Sequence, residues 1–167
     1  CNKLWNAARF IIMNTEGVKL PAKKPNPADM SLADIWIQGK LHSVIKSIEK
    51  NITNYRIDLI ANSLYDFVWN DYCNWYLELS KSILKDDDQS KLEQKHATQL
   101  NLLYTLDATL KCLHPIIPFI TEELWQTINT GQKKSSIMVD NYPNSNDFIV
   151  DQPVLDQMDW LIAFVIS

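Results

Sequence analysis

Apolar residues recur every three or four positions along one long stretch of the chain, from about Arg56 to Leu84. The residues that keep this spacing are Ile57, Ile60, Ala61, Leu64, Val68, Tyr72, Trp75 and Leu79. This period places the apolar side chains on one face of an α-helix that suits packing against nearly antiparallel neighbours. The chain also contains only three glycines, which is typical of a sequence built from long helices. The sequence therefore predicts an all-α fold, a helical bundle of four to five helices.

The first two helices of the predicted bundle have recognisable boundaries. Apolar residues at helical spacing indicate a helix from about Asn2 to Asn14, and Gly17 follows where this helix would stop. The segment 15–30 contains three prolines and three lysines, so we expect an ordered loop or linker. Ser31 and Asp34 form the S-x-x-D capping pattern, in which each side chain can accept a hydrogen bond from the other residue's backbone N–H. A second helix should begin here and bury Ile37, Leu41, Val44, Ile48 and Ile52.

Two further helix starts are indicated in the second half of the chain. Ser90 and Glu93 repeat the capping pattern and predict a fourth helix. Pro115 should end that helix, because proline lacks the N–H donor and restricts the residue before it. Pro118 is expected to begin a short fifth helix that extends to about Ile128.

The pattern divides the chain into a bundle over residues 1–150 and the start of a truncated C-terminal helix over residues 151–167. The bundle includes the proline and lysine loop at 15–30 and an irregular segment at 131–150. Within the irregular segment, residues 136–140 are predicted to form a short edge strand. The last helix should run from about Val154 to Ser167. Because the sequence lacks an initiator Met and ends inside an apolar segment, we expect a fragment of a longer protein.

Composition and charge limit the function. The net charge is −4, so any contact with RNA would need a local basic surface. The three cysteines, Cys1, Cys73 and Cys112, show no C-x-x-C spacing, and this favours a reducing cytosol over a disulfide framework or a zinc site. The longest apolar run, 160–166, is far shorter than the roughly 20 residues needed to cross a bilayer. We therefore expect a cytoplasmic protein that does not contact the membrane.

No catalytic signature is present in the sequence. It contains neither of the glycine-rich patterns that cradle phosphate, nor the G-x-S-x-G pattern of hydrolases. Glu93 and His96 form one E-x-x-H pair, but a di-iron bundle needs two such pairs and two further glutamates. We interpret the pair as chance spacing, and we expect no catalytic residue, metal ligand or cofactor in this chain.

Two helix faces carry side chains suited to contact with RNA. Asn2, Asn6 and Arg9 fall at positions i, i+4 and i+7 of the first helix, and their amide and guanidinium groups can bind base edges and phosphates. Trp36 and Lys40 are i, i+4 neighbours on the second helix, about 100° from its apolar stripe. Trp36 could stack on an unpaired base while Lys40 meets the phosphate, or it could pack under the proline loop.

Two other features have both a functional and a structural interpretation. Lys19, Lys23 and Lys24 cluster in the 15–30 loop, where they either bind phosphate or are simply solvated. The third predicted helix carries the aromatic residues Tyr65, Phe67, Trp69, Tyr72, Trp75 and Tyr76 within twelve positions. Such a density suggests a stacking platform, but the helical spacing favours a core position for most of them.

Three motifs closely resemble the anticodon-binding domain of valyl-tRNA synthetases. They are CNKLWNAARF at 1–10, LYDFVWNDYCNWYLELSK at 64–81 and LHPIIPFITEELWQ at 113–126. The third is shared by the isoleucyl, leucyl and methionyl relatives of class Ia, whereas the first two favour the valyl family. Isoleucyl relatives usually carry a Lys-Asp-Arg-Leu-Tyr run in the middle motif, and none follows Trp75 here. The resemblance covers about residues 1–150.

The resemblance implies a module that follows a catalytic Rossmann domain of the same chain and contacts the anticodon stem-loop of a valine tRNA. The whole enzyme would use ATP with magnesium to join valine to its tRNA, and the motifs that hold ATP in this family are absent from the sequence. Contact with the anticodon loop is carried over to Arg9, Lys23, Lys24, Trp36 and Lys40. Two alternatives stay open: the anticodon domain of the isoleucyl relative, and a helical bundle that docks another protein and binds no RNA.

Overall fold

The computed structural model describes residues 2–130 and 135–166, so Cys1 and the expectations at Gly131 and Ser167 lie outside the described residues. Within these ranges the chain is all-α, as predicted, and no strand occurs. Its helices are α1 (Asn2–Asn14), α2 (Leu32–Thr53), α3 (Ile57–Asp66), α4 (Leu77–Lys85), α5 (Leu92–Leu113), α6 (Pro118–Ile128) and α7 (Gln152–Ile166). None of these helices is long and apolar enough to span a bilayer.

A single apolar core runs through the bundle, with α2 and α5 at its centre. The core residues of these two helices include Trp36, Ile37, Leu41, Ile45 and Ile48 of α2 and Leu102, Leu103, Leu106 and Leu110 of α5. Full burial of one such side chain contributes about 1.5–3 kcal/mol, so this central pair stabilises the fold more than the propensity of either helix alone. The helix α1 packs on α5, and α7 packs on α2.

The predicted capping box at the start of α2 is confirmed. Asp34 N donates to Ser31 Oγ at 3.1 Å, and Ser31 N donates to Asp34 Oδ2 at 3.0 Å. The same buried carboxylate accepts from Tyr76 Oη at 2.6 Å and from Thr98 Oγ1 at 2.7 Å, and Asn101 Nδ2 donates to Tyr76 Oη at 2.8 Å. The cap is therefore also a polar junction that joins α2 and α5 to Tyr76.

The long helix predicted from about Arg56 to Leu84 is present, but a π-helical stretch separates α3 from α4. This π segment comprises Phe67–Tyr76, and Leu77 N donates to Tyr72 O, five residues back. Each wide turn changes which side chains face the core. Trp75, predicted to lie in the middle of the apolar stripe, is therefore only partly buried, whereas Tyr76 is fully buried.

Some boundary predictions were wrong because local hydrogen bonds compete with the predicted pattern. Ser90 does not cap α5; its backbone N–H and hydroxyl both donate to Asp88 Oδ1, at 3.0 and 2.9 Å. The strand expected at 136–140 is a 3₁₀ turn, in which Met138 N donates to Ser136 Oγ at 3.1 Å. Ile52 and Ile57 were placed on apolar stripes, yet both are exposed because they flank the turn between α2 and α3. Pro118 begins α6, as predicted.

The last helix was predicted from about Val154 and is present as α7, which approaches α2 closely at Gly39. A Cβ atom at Gly39 would lie 2.8 Å from Leu155 Cδ2. The glycine therefore lets Leu155 pack directly against the backbone of α2. This contact places α7 over the flank of α2 that carries Trp36 and Lys40.

Candidate nucleic-acid interface

The first part of the candidate interface is the outer face of α1. Leu4, Ala7, Ala8 and Ile11 form its buried face. Asn2, Asn6 and Arg9 are exposed on the other side, as the helical spacing predicted. Arg9 forms no ion pair with any described residue, so its guanidinium donors remain available to a ligand. The helix thus presents two amides and one free cation together.

The second part is a groove between the proline loop and the irregular segment. Residues 20–27 form one wall and residues 140–148 the other, above α5, and the groove has a volume of about 850 Å³. Lys23 and Lys24 belong to its lining and are exposed, as is Lys19 earlier in the loop. Within the described part of the chain, none of these three lysines forms an ion pair. The groove therefore has free cations along one wall.

The base of the groove contains a partly buried ion pair network. Lys111 lies between two carboxylates, with Nζ 2.7 Å from Asp107 Oδ2 and 3.0 Å from Asp140 Oδ2. Burial disfavours the charge on Lys111, but the two carboxylates outweigh it and raise the pKa of this ammonium group. Trp125 Nε1 donates to Asp107 Oδ1 at 2.8 Å, which ties α6 to the same network. The network joins α5 and α6 to the wall at 140–148.

Aromatic side chains line the same groove, and the sequence had given no sign of their position. Tyr104 Oη donates to Asp147 O at 3.0 Å, and the Tyr104 ring lies 5.5 Å from that of Phe148. Burial raises the pKa of Tyr104 to about 12, and it also raises that of Tyr142, so both hydroxyls are neutral near pH 7. Nothing in the irregular composition of 140–148 indicated that it folds against residues 20–27. Chemically, the groove offers aromatic and amide groups beside free ammonium groups.

The third predicted part, on α2, is covered. Trp36 is 0% exposed, so the expectation that its ring is free to stack on a base is wrong. Its cover is α7, where Asp159 Oδ1 accepts from Trp36 Nε1 at 3.1 Å. Lys40 Nζ pairs with the same carboxylate, 2.9 Å from Oδ1. Trp36 and Lys40 therefore anchor α7 to α2.

The seven predicted residues thus lie in three places. Asn2, Asn6 and Arg9 share the α1 face, Lys23 and Lys24 share the groove, and Trp36 and Lys40 lie under α7. Among residues 2–130 and 135–166, no group of three His, Cys, Asp or Glu side chains is arranged to hold a metal ion. The arrangement combines free cations, amides and an aromatic groove, which are the groups that proteins use to bind phosphates and unpaired bases.

The sequence was compared with known protein families and curated proteins. Residues 34–167 match a family described as the anticodon-binding domain of tRNA ligase. Because this match spans most of the chain, the chain belongs to the family of anticodon-binding domains of tRNA ligases.

Its relatives include the valine–tRNA ligase of Legionella pneumophila (strain Lens), which is 44% identical over 169 residues covering all of this chain. The valine–tRNA ligase of Coxiella burnetii is 44% identical over 163 residues, and that of Buchnera aphidicola subsp. Baizongia pistaciae is 45% identical over 168 residues. Each of these two alignments covers 96% of this chain. These relatives favour the valyl family over the isoleucyl one.

The chain spans only 18% of the Legionella protein and 17% of the other two. The family match starts at residue 34 and so leaves out α1 and the proline loop. Both of these parts lie within the alignment to the Legionella relative, which covers the whole chain.

Proposed function

We propose that this chain binds the anticodon stem-loop of a valine tRNA, as one module of a ligase that joins valine to its tRNA using ATP and magnesium. Membership of the anticodon-binding family supports the RNA ligand, and the valine–tRNA ligase relatives support the amino acid. The structural observation that carries the proposal is that four exposed cations on α1 and the proline loop have no ion pair partner among the described residues: Arg9, Lys19, Lys23 and Lys24. In a chain of net charge −4, this set supplies the local basic surface that phosphate binding requires.

The two exposed regions suit different parts of the RNA. Arg9, flanked by Asn2 and Asn6 on a rigid helix, has the planar guanidinium and the amides suited to base edges. Lys23 and Lys24 lie on a loop and carry compact charges, which suit phosphates of the anticodon loop. We assign Trp36 and Lys40 no direct contact with RNA, because α7 covers the former and neutralises the latter.

The contact by Arg9 is tested by measuring tRNA binding at several salt concentrations with Arg9→Ala. Arg56→Ala is a matched control, because Arg56 is the other arginine of the chain and already pairs with Asp58 at 2.7 Å. If Arg9 reads a base edge, we expect a loss of about 1–3 kcal/mol for the valine anticodon and little loss for a changed anticodon. Equal losses for every tRNA and a shallower salt slope would assign Arg9 to phosphate instead. Unchanged affinity for all tRNAs would refute the contact.

The lysines are tested by the double variant Lys23→Ala/Lys24→Ala, with Lys46→Ala/Lys50→Ala on the exposed side of α2 as control. Loss of two phosphate contacts should lower the slope of log K against log salt by about 1.4–1.8, and the control should leave the slope unchanged. If both double variants lowered the slope equally, binding would follow net charge and not the groove.

The activity of the whole protein is also part of the proposal. We place the parent ligase in the cytoplasm, with its catalytic domain in the same polypeptide as this module. The isolated chain should show no valine-dependent pyrophosphate exchange, because the motifs that hold ATP in this family are absent from its sequence. If the chain were instead a bundle that docks another protein, it would bind no tRNA even at low salt and would bind a protein partner.

A further inference from the structure

A glutamine side chain of α2 connects the core of the bundle to one wall of the groove. We call this wall, residues 140–148, the far wall, and we call residues 20–27 the near wall. Gln38 is 0% exposed, and both ends of its amide form hydrogen bonds. Its Oε1 accepts from the backbone N–H of Ile149, which directly follows the far wall, at 2.9 Å. Its Nε2 donates to Asn101 Oδ1 of α5 at 2.8 Å, so the far wall is tied to the core through this amide.

The hydrogen bonds beyond Asn101 fix the direction in which this amide points. Asn101 Nδ2 donates to Tyr76 Oη at 2.8 Å, and Tyr76 Oη donates to Asp34 Oδ1 at 2.6 Å. Burial raises the pKa of Tyr76 well above its usual range, so the hydroxyl keeps the proton that it donates. Because Asn101 uses its Nδ2 for Tyr76, it presents Oδ1 to Gln38, which must answer with Nε2. The Oε1 of Gln38 is then left for Ile149, whose N–H can only donate.

The same chain of hydrogen bonds ends beside the near wall. Residues 20–27 lead into the 3₁₀ turn Pro27–Asp29 and then into Ser31, the cap of α2. Ser31 donates to Asp34 Oδ2 through both its backbone N–H and its hydroxyl, at 3.0 and 2.7 Å. A path of buried hydrogen bonds therefore runs inside the bundle from the end of the near wall to the end of the far wall.

Other side chains also hold the far wall, but they reach the solvent. His42 Nδ1 lies 2.6 Å from Ser145 O, and Tyr104 Oη donates to Asp147 O at 3.0 Å. His42 and Tyr104 are partly exposed, so water can take the place of either donor if it is lost. Water does not reach Gln38, so loss of its amide leaves hydrogen bonding groups without a replacement.

We propose that Gln38 is a positioning residue for RNA binding: it fixes the far wall, so that RNA enters a groove whose two walls are already in place. This inference rests on the proposed function, because it takes the groove to hold part of the anticodon loop. A wall that is ordered before binding does not have to be ordered by the RNA, and affinity rises for this reason. Gln38 itself is fully buried and does not line the groove, so it acts without touching the RNA.

The first test is hydrogen exchange of the full-length ligase without RNA, measured by mass spectrometry in peptides that cover 140–149. The variant Gln38→Met keeps the approximate length of the side chain and removes both polar groups, so the N–H of Ile149 loses its acceptor. We expect the amides of this segment to exchange about tenfold faster, as the loss of one buried hydrogen bond implies.

The matched control is Tyr76→Phe, which removes a buried hydrogen bond from the same network. In this variant Asn101 Nδ2 still lies 3.4 Å from Asp34 Oδ1, so Asn101 and Gln38 keep the direction of their amides. The control should lower the stability of the fold and leave exchange over 140–149 unchanged. A difference between the two variants therefore reports the position of the far wall and not a general loss of stability.

The second test is tRNA affinity at several salt concentrations, under conditions where each variant is folded. Gln38→Met should bind tRNA about tenfold more weakly, because the RNA must then order the far wall. The salt slope should stay the same, because no charge is removed. Tyr76→Phe should bind tRNA as the parent does.

Two double-variant cycles locate the effect within the domain. In the Lys23→Ala/Lys24→Ala background, Gln38→Met should cost little further affinity, because those lysines line the same groove. In the Arg9→Ala background on α1, Gln38→Met should still cost about tenfold, because distant sites contribute independently.

Unchanged exchange over 140–149 in Gln38→Met would overturn the proposal. Faster exchange with unchanged tRNA affinity would also overturn it and leave Gln38 a purely structural residue. An equal loss of affinity in Tyr76→Phe would overturn it in favour of a general effect of stability. A parent protein that binds no tRNA would overturn the proposed function as well, so the two failures are distinguished by whether the parent or only the comparison of variants disagrees.

Discussion

Trp36 should act on the stability of this domain and not on its affinity for RNA. The variant Trp36→Ala removes an indole that is fully buried, and it leaves a cavity between α2 and α7. Truncations of this kind cost about 3–5 kcal/mol. The variant also deletes the bond from Nε1 to Asp159, but Asp159 is half exposed and can bind water instead, so this loss adds little. We expect a total of about 4 kcal/mol, a large part of the roughly 5–15 kcal/mol that stabilises a domain.

The assay is urea unfolding of the parent and its variants, followed by tRNA binding under conditions where each variant is folded. Trp36→Phe keeps most of the buried ring and loses the hydrogen bond, so we expect a smaller cost of about 1–2 kcal/mol. Asp159→Asn keeps an acceptor for Trp36 Nε1, and it should weaken mainly the pairing with Lys40. The affinity of the folded protein for tRNA should be the same in all three variants.

A different result would refute this reasoning. If Trp36→Ala unfolded within about 1 kcal/mol of the parent and lost about 1–3 kcal/mol of tRNA affinity, that combination would be typical of a stacked base and an exposed ring. The cover provided by α7 would then have to be absent from the RNA-bound state.

Two further predictions concern the buried polar groups. Tyr76→Phe removes a hydroxyl that donates to Asp34 at 2.6 Å and accepts from Asn101 at 2.8 Å, so urea unfolding should show that the free energy of unfolding falls by about 1.5–3 kcal/mol. The control Ser82→Ala removes an exposed hydroxyl and should change this free energy little. Equal values for both variants would mean that the junction at Asp34 does not stabilise the fold. Burial raises the pKa of Cys73 to about 11 and that of Cys112 to about 12, above the pKa of 9.0 of a free thiol. Because the unfolded chain loses these protons first, stability should be complete below about pH 9 and should fall as the pH rises through the folded-state values. The urea midpoint measured from pH 8 to 11 should therefore decrease, and less steeply in Cys73→Ala; a midpoint that rose over this range would contradict the burial of the thiols.

The parts of the fold that could be predicted are those whose signals lie within a few residues of each other. The capping box joins Ser31 to Asp34, three positions apart, and Pro118 marks the start of α6 by its own geometry. The outward direction of Arg9 follows from the buried residues Ala7 and Ile11, each two positions away and therefore on the opposite side of the same helix. In each case the competing structures are few, so the local pattern decides.

The parts that could not be predicted depend on contacts between distant residues. Trp36 and Asp159 are 123 positions apart, and the period of α2 alone gave no sign that its flank is covered. The groove needs the proline loop and the segment 140–148 to meet above α5, and neither has a periodic pattern. The π segment changes the register of the long helix without any glycine or proline to mark it, so Trp75, which was placed on the apolar stripe, is only partly buried.

The net charge of −4 conceals a difference between paired and unpaired cations that bears on RNA binding. Lys111 is held by two carboxylates and Lys40 by Asp159, so these ammonium groups do not attract RNA. Arg9 and the loop lysines have no such partners among the described residues, so their positive charge stays available on α1 and the proline loop. Phosphate is therefore attracted to these cations, so an acidic domain can orient an approaching RNA by where its positive charges remain unpaired.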